Sequence, residues 1–157
     1  MPDLVPHYSL AGTWHLNNRV NLMLLDHLND QQLAYTSNPR ARNIADQFAH
    51  LHNVRLMWLE VRSPEIAGSV QKIEKGAATK ASLREALDAS GKLIGHWIAE
   101  AEKTGKMKSA RRGVNVFFGY AMAHEAHHRG QILLHLKYGK MPVDRMFSYS
   151  IWDWQKI

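Results

Sequence analysis

Apolar residues recur along this chain at helical rather than alternating spacing, and turn residues cut the pattern into four stretches with no repeat and no convincing strand run. The first predicted helix runs from Thr13 to Asn29, with Trp14, Val20, Leu24, Leu25 and Leu28 as its apolar surface, and Pro39 breaks the chain after it. The second starts at Asn43, a residue type that caps helix N-termini, and runs to Arg62, where Ser63-Pro64 stops it. Ile44, Phe48, Leu51 and Trp58 form its main apolar stripe.

From Ser63 to Lys80 the segment SPEIAGSVQKIEKGAATK mixes glycine, small and charged residues, the composition of a long crossover holding at most one short helical turn. The third helix opens on Ser82-Leu83-Arg84-Glu85, a capping-box pattern, and Leu83, Leu87, Ile94, Trp97 and Ile98 give it a core face. After the basic loop TGKMKSARRG, the fourth helix spans Val114 to Tyr138, with Gly139 as a left-handed C-cap and Pro142 beyond it. The aromatic tail MFSYSIWDWQKI is expected to pack back on the bundle. The expected fold is therefore all-α, a four-helix bundle with one long crossover, forming one domain over residues 1–157.

An apolar fraction of 45% and a charged fraction of 22% are those of a folded globular chain, so a core can form without staples. There is no cysteine, which removes disulfides, thiolate ligands and a cysteine nucleophile. No basic region followed by an apolar stretch opens the chain, and no run approaches the 18 or so apolar residues of a membrane span, so a cytoplasmic address is the expectation. The formal net charge of +6 reads first as a basic surface. A nucleic-acid reading through Lys103, Lys106, Lys108, Arg111 and Arg112 ranks low, because no base-reading motif accompanies the charge.

The chemistry lies in His124-Glu125-Ala126-His127-His128-Arg129-Gly130-Gln131, inside the fourth helix. Residues four apart sit roughly 40° apart around a helix axis and one turn along it, so His124 and His128 can converge on one ion, whereas His127 points about 60° to the other side. Gln131 and His135 continue the His124/His128 stripe, Phe117 precedes it, and the stripe is expected to face inward. A catalytic zinc-type site usually takes three protein ligands plus water, so a third must come from another helix. His50 is the best donor, sharing an expected inward face with Val54, Met57 and Val61, while His52, about 200° round the helix, should face solvent. His7, His15, His27, His52 and His96 read as ordinary core or surface histidines.

Two other metal chemistries fail on the same residues. His124 to His128 matches the zinc-peptidase string H-E-x-x-H, but no glutamate follows Glu125, and the extended pattern meets Gln131 and Leu134 where glycine and histidine are required. A di-iron bundle needs two Glu-x-x-His motifs, and only Glu125 to His128 supplies one.

Across most of its length the chain resembles the DinB/YfiT-like superfamily. The most specific likeness is H-x-x-x-H followed by Arg129-Gly130-Gln131; Phe48-Ala49-His50-Leu51 with Trp58-Leu59 resembles the second-helix pattern, and Asn18-Arg19 and Trp152-Asp153-Trp154 resemble shorter recurring positions. The resemblance implies up-down-down-up connectivity, a homodimer, and one divalent ion, zinc or nickel, on His50, His124 and His128, with Asn18 and Gln131 as outer partners. It also implies thiol-dependent S-transferase or isomerase chemistry, in which the metal lowers the pKa of a low-molecular-weight thiol that attacks a small electrophile. A hydrolase using water is the close variant. No side chain is assigned as catalytic, since the metal-bound water or thiol is the expected reactive group, and Glu125, about 100° from His124, is expected to pair with basic residues. The competing expectation is a noncatalytic, stress-associated protein in which the metal only braces the bundle.

Overall fold

The computed structural model describes residues 9–62, 64–107, 110 and 112–157. Among these residues the regular structure is all helix, with no strand: α1 Leu10–His27, α2 Asp30–Ala34, α3 Ile44–Arg62, α4 Pro64–Ala67, α5 Lys80–Thr104, α6 Gly113–Tyr138 and α7 Arg145–Ser150. The four long helices are the four expected ones. Thr13-to-Asn29 as one helix was too generous at its end, because Leu28 is extended and Asn29 and Gln32 form a capping box that starts the short α2. The third helix's capping box sits one turn earlier than expected. Its N-cap is Thr79, and Ser82 answers it from the third helical position rather than serving as the cap.

Gly139 is not the left-handed C-cap either. Its φ is −72°, the left-handed residue is Lys140, and a Cβ on Gly139 would lie 2.8 Å from the Tyr35 ring. Glycine there permits the close approach of Tyr35, not a turn.

Two apolar clusters fill the interior. One gathers Leu24, Leu25, Ile44, Phe48, Leu83, Leu87, Ile132 and Leu136; the other gathers Ala11, Trp14, Leu56, Leu59, Ile94, Ile98, Phe117 and Ala121. α1 and α6 therefore run from the second cluster to the first, and α3 and α5 from the first to the second, which is the up-down-down-up order. α5 packs closely on α1 and α3, and α6 also touches both. Trp14 Nε1–H donates to Gly91 O at 2.8 Å, and a Cβ at Gly91 would fall 2.3 Å from Asn18, so α1 and α5 meet over a bare backbone.

Because α3 and α5 run in the same sense, the chain between them must return along the bundle. α3 holds that crossover from beneath. Asn53 exchanges two hydrogen bonds with Ile73, donating to its carbonyl at 2.8 Å and accepting its N–H at 3.0 Å, and Asp46 Oδ1 accepts the Gly76 N–H at 2.9 Å. His52, expected in solvent, is fully buried under this segment with its ring nitrogens 3.0 Å from Ala86 O and 2.9 Å from Gln71 O. Helical periodicity placed it opposite His50 correctly, but the crossover turns that face inward.

The tail does pack back. His27 stacks on Phe147 at 3.7 Å and lies 3.1 Å from Asp144, while Ile151 is buried and Trp152 remains exposed. No helix of the described residues is long and apolar enough to cross a membrane.

Candidate metal centre

Between the two apolar clusters lies a buried polar layer. Arg55 of α3 forks onto Glu125 of α6, Nε to Oε1 at 2.7 Å and Nη2 to Oε2 at 3.0 Å. Asn17 and Asn21 of α1 donate to the same Oε2 at 2.6 and 2.7 Å, Arg129 donates to Asn21 Oδ1 at 2.8 Å, and Arg55 Nη1 donates to Leu87 O at 2.9 Å. Burial works to raise the Glu125 pKa, but the Arg55 charge and hydrogen bond, Asn21 and the Arg129 charge outweigh it and hold the carboxyl ionised below its ordinary range. Glu125 thus pairs with basic residues, as expected.

The candidate ligands sit at the α3/α6 edge of this layer. One nitrogen from each of His50, His124 and His128 lies within 4.8 Å of the other two. Ring centroids are 4.7 Å apart for His50–His128 and His124–His128, and 5.4 Å for His50–His124. α6 supplies two imidazoles one turn apart and α3 the third, the arrangement that i,i+4 spacing requires. Neither stripe faces fully inward as expected: Met57 and Val61 are exposed, and the buried line of α6 runs through Phe117, Ala121, Glu125, Ile132 and Leu136. The triad is half-buried beside the core, with His128 the deepest.

The electrostatics keep these imidazoles neutral. Burial, then the Arg42 charge and His124, lower the His50 pKa; burial, with His127 and Arg55 against the opposing pull of Glu125, lowers that of His124. His128 is driven to about 4 by burial and by His124, His50 and His127, with Gln131 opposing. Near neutral pH each ring offers a lone pair. A divalent metal fits the site, since His128 Nδ1 is buried without a hydrogen-bond partner among the described residues and the donors are of the type that zinc and nickel accept.

The other expected residues fall as follows. Gln131 lines a cavity with His128, whereas Asn18 points to Gly91 on α5. His127 is exposed and outside the triad, and His135 Nδ1 lies 3.1 Å from Gln47 Nε2. Of the basic cluster, Lys108 and Arg111 lie outside the described residues, as does His7, and Lys103 pairs with Glu100 at 3.2 Å. Sequence reasoning passed over Asn17, Asn21 and Arg55. Their signal was their position, because each interrupts an otherwise apolar stripe, Trp14–Leu24 on α1 and Leu51–Leu59 on α3.

The family model described as the DinB superfamily matches residues 13–132, which takes in all four long helices as far as the triad, and the chain belongs to that superfamily. No curated protein and no solved structure matches it.

Proposed function

We propose that His50, His124 and His128 bind one divalent transition metal, zinc or nickel, and that the protein is a transferase joining a low-molecular-weight thiol to a small electrophile. The observation that carries this reading is the convergence of three imidazole nitrogens within 4.8 Å of one another, with one of the three, His128, also lining a cavity of about 510 Å³. The ion would supply positive charge that lowers the pKa of a thiol or, in a hydrolase, of water. The chain's own residues do the rest. His50 and His124 are set by α3 and α6, the Arg55–Glu125 fork locks those helices together, and the absence of cysteine makes the thiol a cosubstrate. The same reading takes the protein as a cytoplasmic homodimer.

Metal content by mass spectrometry on untagged protein tests it, comparing wild type with His50→Ala and His128→Ala. Near-stoichiometric metal, lost in both variants, with thiol consumption by an electrophile panel, is the expected result. Wild type that neither carries nor takes up zinc or nickel would overturn it. A metal-braced, noncatalytic protein has one observation in its favour, that the triad ties α3 to α6 where the polar layer interrupts apolar packing. It predicts metal-dependent melting without turnover of any thiol.

A further inference from the structure

A cavity of about 510 Å³ opens beside the triad, with His128 as part of its wall. Two loops also contribute to its lining: Arg40 and Arg42 come from the α2–α3 connection, and Lys75 from the crossover. No carboxylate lines it, and among the described residues none of these three cations has an ion-pair partner. Three like charges around one cavity repel one another, an arrangement that an anion relieves.

Two buried polar atoms of the cavity's lining residues also lack a hydrogen-bond partner among the described residues. Gln47, 3% exposed, has Oε1 unsatisfied, and so has His128 at Nδ1. Both loops are fixed rather than free, since Arg40 N–H donates to Asn38 Oδ1 at 2.9 Å, Ile44 N–H to Tyr35 O at 3.1 Å, and Gly76 beside Lys75 is held by Asp46.

We propose that this cavity is the docking site for the oxyanion of a small acidic substrate, with Arg40, Arg42 and Lys75 taking its carboxylate or phosphate and its reacting end lying toward His128. The assignment of that reacting end rests on the metal reading above. Guanidinium forks suit either oxyanion, and the unsatisfied Gln47 acceptor suits a hydroxyl or N–H on the same molecule. The site would select acidic thiols or acidic electrophiles over neutral ones of equal size.

Calorimetric titration at low salt with inorganic phosphate and, separately, succinate tests the proposal on chelator-stripped and on zinc-reloaded protein. The expected result is binding of at least one probe by both forms, weakened about tenfold or more by Arg42→Gln and by Lys75→Gln and unchanged by Lys103→Gln. Which probe binds tells carboxylate from phosphate. No binding of either probe to either form overturns the proposal. So does binding that needs zinc and ignores both substitutions, because the anion then sits on the metal. Zinc retention by Arg42→Gln is measured alongside. If wild type holds no zinc yet binds the anion through Arg42, the metal reading falls and the anion site stands.

Discussion

Arg55 and Glu125 meet in a two-pronged ion pair at 2.7 and 3.0 Å with each side chain only 3% exposed, joining α3 to α6 at the level of the histidine triad. Removing one partner leaves a buried charge without compensation, which costs about 3–5 kcal/mol, while replacing both by apolar residues of similar size costs far less. Glu125→Ala and Arg55→Ala are each expected to lower stability by about that amount in urea unfolding, and Arg55→Met with Glu125→Leu to recover much of the loss. Additive losses in the double variant would sink the account.

Metal should stabilise the fold through the triad. At a free zinc concentration one hundred times its dissociation constant, mass action adds about 2.7 kcal/mol, and a thermal melt should rise accordingly. Chelator should abolish the rise, and so should His50→Ala or His124→Ala. His127→Ala, outside the triad, should keep it.

His15 gives the chain a measurable pH dependence away from the site. Burial, then Arg19 and Lys92, lower its pKa below the ordinary 6.5, so on acidification the unfolded chain takes up a proton before the folded one does. Its contribution to stability is complete above 6.5 and is lost as pH falls through the folded value. His15→Gln is expected to show a shallower decline in urea midpoint below pH 6.5 than wild type. Identical slopes would refute this.

The crossover depends on side chains of α3 more than on its own sequence. Asn53→Ala removes both bonds to Ile73, at roughly 1–3 kcal/mol in total, and should speed hydrogen exchange and proteolysis within residues 68–79 with less effect on α5 and α6. Uniformly faster exchange across the chain would mean that the crossover opens only with the whole bundle.

The four long helices and the paired histidines of α6 were legible because both rest on local spacing: Phe48 and Leu51 on α3, like Leu83 and Leu87 on α5, repeat at helical intervals, and His124 and His128 stand one turn apart. What escaped depended on contacts between distant segments. His52 looks exposed until the crossover, through Gln71, covers it. Gly139 looks like a turn residue until Tyr35 arrives beside it. Arg55 reads as a surface charge on α3 unless Glu125, seventy residues later, is known to face it.

The triad's division between α3 and α6 also dates the site within the protein's own assembly. A nascent chain that has emerged only as far as α5 carries just one of the three triad histidines, His50. His124 and His128 arrive together on α6, and only then can they stand beside His50. On the proposed reading, capture of the ion would therefore be a late event, and a chain interrupted before α6 would lack two of its three ligands.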